Sequence, residues 1–188
     1  MKIILVNGKK RSGKDFFAAY LRDEIDRQGK KAIIRSFADP MKQIVSTTFG
    51  ISVQDLEIYK NNPRDFKVFL SHHDLEFAET NFRKVLQLFG TEGMKPYFGD
   101  DVWVKLLKDS VKDADVDYVI VPDFRFKIEA ISSLTVRVRN KKIEEQCTDT
   151  HASENELNDF PFLREIDNTG LPDLGPQVKE LIKFLEQV

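Results

Sequence analysis

Gly8-Lys9-Lys10-Arg11-Ser12-Gly13-Lys14-Asp15 carries the spacing G-x-x-x-x-G-K, with Asp15 where a serine or threonine usually follows. Glycines at those positions let successive backbone N–H groups turn inward around phosphate oxygens, at the positive end of a following helix. Gly8, Lys10, Arg11, Ser12, Gly13, Lys14 and Asp15 are therefore candidate contacts to a nucleotide's phosphates, with Lys14 reaching toward the β- and γ-groups. The competing reading is a surface turn with Lys9, Lys10 and Arg11 solvated. Asp15 is a candidate Mg²⁺ ligand, directly or through water, because hard oxygen donors suit that ion. Asp123 is the second such candidate, since it follows an apolar run much as a Walker-B aspartate does; its plainer alternative is a helix N-cap.

These residues need a scaffold, and the hydropathy pattern supplies one. Lys2–Asn7 reads as a strand buried on both faces, Asp15–Gln28 as a helix stopped by Gly29, and Lys31–Phe37 as a second strand. Pro40 opens a helix toward Phe49 and Gly50, and 51–80 reads as a helical or looped insertion with a turn at Asn61-Asn62-Pro63. Phe82–Phe89 is a helix ending at Gly90, and Asp100–Lys112 another with acidic residues in its first turn. Asp117–Val121, Leu134–Val138 and Leu163–Asp167 complete the strands; Lys127–Ser132 and Pro176–Gln187 are helices. The expected fold is α/β: a three-layer P-loop NTPase arrangement with a five-stranded parallel sheet, helices on both faces and a lid. One domain spans 1–188, with a substrate-binding helical region at about 40–112 and a polar, mobile lid at about 140–160. In such sheets ligands lie beyond the carboxyl ends of the strands.

The later segments carry a resemblance. KRSGKD at Lys10–Asp15, FADPMK at Phe37–Lys42, FRKVLQLFGT at Phe82–Thr91, WVKLL at Trp103–Leu107, VPDFR at Val121–Arg125 with Glu129, and DTHASE at Asp149–Glu154 occur in that order. The chain resembles the phage-encoded deoxynucleoside monophosphate kinases from Met1 to the terminal helix, and is shorter than their best-known members between the second strand and the Arg83 helix. The resemblance implies ATP and Mg²⁺ as cofactors and a deoxynucleoside monophosphate as acceptor. It places Lys42, Arg83, Gly90, Thr91, Trp103, Asp123, Arg125 and Glu129 at the acceptor, and Asn168 in a turn near the adenine of ATP.

Residue chemistry agrees in part. Arg83 and Arg125 offer planar forks for a dianionic phosphate, and either could equally be an ordinary surface arginine. Trp103 could stack on a base or fill a core; Gly90-Thr91 could cap a helix or approach substrate; Asn168 could simply initiate a turn. Arg139, before the polar stretch, is the candidate lid cation for the transferring phosphoryl group, and His151 a hydrogen-bonding lid residue. Lys14, Arg83, Arg125 and Arg139 form the expected catalytic set. His72 and His73 have no cysteine or further histidine at ligand spacing.

Composition narrows the classes. With 29 basic against 31 acidic residues, net charge −2, nothing draws the chain to nucleic acid or an anionic membrane. The single Cys147 forms no internal disulfide, and the first apolar run is too short for a signal or a span, so the expected compartment is the cytoplasm, the host's if phage-encoded. No N-K-x-D motif points to guanine. Rival readings are a kinase of the dephospho-coenzyme A or phosphomevalonate type and a nucleotide-binding regulator without phosphoryl transfer; a homodimer stays open.

Overall fold

The run Lys2–Asn7 forms strand β1, whose Ile4, Leu5 and Val6 have no exposed surface, as a central parallel strand requires. A turn leads into α1 (Lys14–Arg27), which buries Phe17, Ala18, Leu21 and Ile25 and ends before Gly29. The computed structural model describes residues 1–62, 67–71, 77–132, 134–146, 152–170 and 173–187, the side chains of 67–71 and 77–79 excepted. Pro63, His72, His73, Cys147, Asp149 and His151 lie outside the described residues.

Strand β2 is only Ala32–Ile34, shorter than the expected Lys31–Phe37. Beyond it the Phe37 amide turns to the Asp123 carboxylate instead of continuing the ladder. Then come α2 (Asp39–Phe49), with proline in its first turn, and α3 (Val53–Asn61), capped by the Ser52 hydroxyl on the Asp55 amide. The insertion next forms an antiparallel hairpin, β3 (Lys67–Ser71) and β4 (Phe77–Asn81), a correction to the helical or looped reading. Asn81 caps α4 (Phe82–Gln87). The helix expected to stop at Gly90 runs on as a π-helical turn, Leu88–Gly93, closed by the Met94 amide on the Phe89 carbonyl.

After α5 (Lys95–Phe98), α6 spans Val102–Val111, so Asp100 and Asp101 precede its first turn instead of occupying it. Strand β5 (Tyr118–Val121) is followed by a 3₁₀ turn at Lys127–Glu129, shorter than the expected Lys127–Ser132 because Ser132 leaves to donate to the Ile3 carbonyl at 2.6 Å. The remaining elements are β6 (Thr135–Arg139), α7 (Lys141–Gln146), α8 (Ala152–Asn155), β7 (Arg164–Asp167) and α9 (Gly175–Gln187).

The five-stranded sheet is all-parallel, in the order β2-β5-β1-β6-β7, as the alternation of strands and helices requires. Ile4 and Val6 share a core with α1 and α9, through Phe17, Leu21, Val178 and Leu181. Leu5, Val119 and Val121 alternate onto the opposite face and are equally buried. At about 25 cal/mol per Å², such burial is the main force holding the sheet.

Two compact units emerge: Met1–Phe37 with Leu107–Val188, and Ala38–Leu106. The second has its own core of Val45, Leu56, Phe82 and Leu86, bordered by Met41, Phe49, Tyr59 and Phe89. Among the described residues no helix is long and apolar enough to cross a membrane.

Candidate functional site

The carboxyl ends of the five parallel strands bring the site residues of the first unit together. After β1 come Gly8–Lys14; after β2, Ser36; after β5, Asp123 and Arg125; β6 ends on Arg139; after β7 comes Asn168. This is the edge at which an open α/β sheet binds ligands.

The loop after β1 is tightly built. A Cβ on Gly8 would lie 2.4 Å from the Ser12 hydroxyl and 2.8 Å from the Val138 carbonyl of β6, so no side chain fits there unless the loop shifts. Gly13 sits at φ 88°, where L-residues are strained, and its Cα is backed by the Asn168 amide. Arg11, at φ 67°, holds the left-handed conformation without being glycine, at a cost of roughly 1–3 kcal/mol. Strain of that kind persists only where the surroundings impose it.

Two groups inside this loop face no adequate partner. The Ser12 side chain is buried and its hydroxyl has no hydrogen-bond partner, although a buried hydroxyl ordinarily finds one. The Lys14 side chain is 9% exposed, and its ammonium lies 3.8 Å from an Asp15 carboxylate that is 80% exposed. Burial holds the Lys14 pKa below the ordinary lysine value; Asp15 pulls it back up, Arg125 lowers it further, and Glu154 and Asp123 raise it. An unsatisfied hydroxyl and an under-compensated cation at the start of a helix fit a bound polyanion.

Lys9, expected to be solvated if the motif were a plain surface turn, is not. Its ammonium donates to the Glu154 carbonyl and to the side-chain oxygens of Asn155 at 3.2 Å and Asn158 at 2.9 Å. The Lys10 amide donates to the Glu154 carboxylate at 3.0 Å, while the Lys10 and Arg11 side chains are exposed. The described part of the stretch expected as a lid holds α7 and α8, and Glu154, Asn155 and Asn158 tie its end to the loop after β1.

Asn168 acts on the loop, not as a turn initiator. Its side-chain amide is buried and donates to the Ser12 carbonyl at 2.8 Å, while the local turn belongs to Asp167, whose carboxylate accepts from the Thr169 amide. Asn168→Ala strips a buried carbonyl of its donor. The variant should lose about 1–3 kcal/mol of stability by urea unfolding. Unchanged stability would remove Asn168 from the loop's support.

Asp123 is not the N-cap that was its plainer alternative. Its carboxylate accepts from the Phe37 amide at 3.0 Å and from the Ser36 hydroxyl, stapling the exits of β2 and β5. Glu129 is buried, and one of its oxygens accepts from both the Arg125 amide at 2.7 Å and the Phe126 amide at 3.0 Å, building the turn that carries Arg125. Arg125 pairs with Glu154. Arg139, the expected lid cation, makes a forked ion pair with Glu144, 2.7 Å at its closest, and lies 3.6 Å from Glu165; both partners raise its pKa, Glu144 the more. Among the described residues no group of three histidine, cysteine or acidic side chains could hold a metal. Exposed Asp15 and strand-end Asp123 instead suit Mg²⁺ of the sparse kind, held by one or two carboxylates, waters and the phosphates it accompanies.

The second unit holds the other resemblance-derived residues. Lys42 of α2 pairs with Glu57 of α3 at 2.7 Å, and Lys60 closes on the same carboxylate at 2.5 Å. Burial alone would raise Glu57, but hydrogen bonds from Lys42 and Lys60 outweigh it and hold the carboxyl below its usual range. Arg83 is half-buried in α4, and Gly90 and exposed Thr91 lie in the π-helical turn. The Trp103 indole is buried and donates to the Gly90 carbonyl at 3.0 Å, with Phe89 beside it. Trp103→Phe, which keeps the ring and removes the donor, should cost about 1–3 kcal/mol in urea unfolding. Full stability in the variant would show that the indole bond to the Gly90 carbonyl contributes nothing to the fold.

Glu154, Lys9, Ser36 and Glu57 escaped sequence reasoning. The first lies in the DTHASE stretch, which marks it as notable without giving its partner; the others carry no local signal. No protein-family model matches the chain, and no curated protein matches it.

Proposed function

We propose that the chain is a P-loop kinase that moves the γ-phosphoryl group of MgATP onto a deoxynucleoside 5′-monophosphate, giving the diphosphate and ADP. One observation carries the reading: the glycine-flanked turn after β1 holds a buried, unpartnered Ser12 hydroxyl beside the buried Lys14 ammonium, on the amino end of a 14-residue helix. A donor triphosphate would complete what that loop lacks.

In this reading the loop amides and Lys14 hold the donor and withdraw negative charge from it. Mg²⁺ would be held by Asp15 and Asp123 with waters and the donor's own phosphates, and would supply further charge neutralisation. Arg125 grips an acceptor phosphate. The acceptor is already an oxyanion, so positioning and charge neutralisation suffice without a base. Nothing in the residues selects the nucleobase.

The test is an ADP-release assay with MgATP across deoxynucleoside and ribonucleoside monophosphates, dephospho-coenzyme A and phosphomevalonate. Turnover with at least one deoxynucleoside monophosphate supports the proposal. Turnover only with another acceptor transfers the site to that chemistry, and ATP binding without turnover on any acceptor makes the protein a nucleotide-binding regulator.

A further inference from the structure

The Glu154 carboxylate does two things at once. One oxygen accepts from the Lys10 amide of the phosphate loop at 3.0 Å, and the other takes the Arg125 guanidinium through Nη1. The carbonyl of Ser153 accepts from the same Nη1 at 3.3 Å. Both side-chain bonds of Arg125 among the described residues therefore leave by one corner, and the Nε–Nη2 edge carries neither of them. That edge is the one suited to bidentate contact with an oxyanion.

The bridge is itself anchored. The Glu154 side chain is 7% exposed, against 29% for Arg125. Its segment is fastened by Lys9 to Asn155 and Asn158, by the Lys127 amide to Glu156 at 2.7 Å, and by Arg137 to the Asn158 carbonyl at 2.9 Å. From the other side Glu129 fixes the Arg125 backbone. A long arginine that would otherwise lose considerable rotamer freedom on gripping a phosphate is already held.

We propose that Glu154 is a positioning residue: it fixes the Arg125 guanidinium to the phosphate loop so that its Nε–Nη2 edge meets an acceptor phosphate in a set register with the donor. The inference rests on the kinase reading for its consequence in catalysis, but the ordering of Arg125 stands independently of it.

Two measurements on the full chain separate these. In ¹⁵N-labelled protein, the Arg125 Nε–H signal, assigned with Arg125→Lys, is resolved and dispersed in the wild type. In Glu154→Ala it collapses toward the exposed arginines while the backbone spectrum is largely retained. Glu154→Gln keeps an acceptor for the Lys10 amide and guards against loss of folding; its signal falls between the two. In the ADP-release assay, Glu154→Ala lowers kcat/KM for the monophosphate about a hundredfold, with the KM for MgATP within about threefold, and adds nothing to the loss in Arg125→Ala. An averaged Arg125 signal in the wild type, or losses from the two substitutions that multiply, overturns the proposal. A dispersed signal that collapses in Glu154→Ala, in a protein that phosphorylates no acceptor, sinks the kinase reading and leaves the positioning role standing.

Discussion

Under the proposed function, replacing Lys14 with alanine will lower phosphoryl transfer by about a hundredfold to a thousandfold or more without unfolding the protein. Both halves follow from one geometry. The Lys14 ammonium is the buried cation of the loop, so its removal takes away a full positive charge that the loop's amide dipoles do not replace. Its burial is poorly compensated, however, since the nearest carboxylate is 3.8 Å away and largely solvent-exposed. A group whose charged form the fold disfavours does not hold that fold together, so thermal unfolding should occur at or slightly above the wild-type temperature. The pH dependence has a definite sign. Because the folded-state pKa of Lys14 is lowered, the fold bears the full cost of its charge below that pKa. The cost fades as pH rises from there toward the ordinary lysine value. The stability advantage of Lys14→Met over the wild type should therefore be largest near neutrality and shrink in alkaline solution. Full activity in Lys14→Ala would refute the assignment of the loop.

Gly8→Ala will cost both stability and nucleotide binding, the opposite signature. The added methyl would meet the Ser12 hydroxyl at 2.4 Å and the Val138 carbonyl at 2.8 Å; the hydroxyl can rotate, but the carbonyl belongs to β6 and cannot move alone. Relief must come from shifting the loop away from the sheet, with a loss of about 1–3 kcal/mol in urea unfolding. The same shift displaces the loop that, in the proposed function, holds the donor's phosphates, so MgATP affinity should fall at least about a hundredfold by calorimetry. A stable Gly8→Ala protein that binds MgATP normally would show that the close packing after β1 serves the fold alone.

Much of the scaffold was legible because the governing signals are local. Lys2–Asn7 and Tyr118–Val121 are continuous apolar runs, and strands buried on both faces have little else they could be. Gly29 and Gly50 mark helix ends by their left-handed φ, 79° and 64°. The tight turn after β1 was legible for a different reason, since the glycine spacing is itself a backbone requirement: Gly8 has no room for a Cβ and Gly13 holds a positive φ. The β3–β4 hairpin was missed because Phe77–Asn81 has no period-two pattern; its pairing with Lys67–Ser71 is a relation between segments. The π-helical turn was missed because Gly90 ordinarily stops a helix, and only the Trp103 indole, thirteen residues on, engages its carbonyl.

The site divides along the same line. Gly8, Gly13 and Lys14 are singled out by spacing alone, whereas the contacts around them are long-range: Asn168 reaches Ser12, Glu154 reaches Lys10 and Arg125, and Asp123 reaches Ser36 and Phe37. A single asparagine after a strand looks like a turn former, and a glutamate in a polar stretch looks solvated. Their roles exist only once five strands end at one edge. The stretch around Ser153–Asn158 reads as a flap by composition; its Asn155, Asn158 and Glu156 side chains accept from Lys9 and Lys127, and the Asn158 carbonyl accepts from Arg137, partners that composition does not reveal.

Isothermal titration of the folded protein with MgATP tests the central claim most directly. The account predicts saturable one-site binding that Lys14→Ala and Gly8→Ala each weaken severely. Folded wild-type protein that takes up neither MgATP nor MgGTP would contradict it, and with it the kinase reading built on that loop.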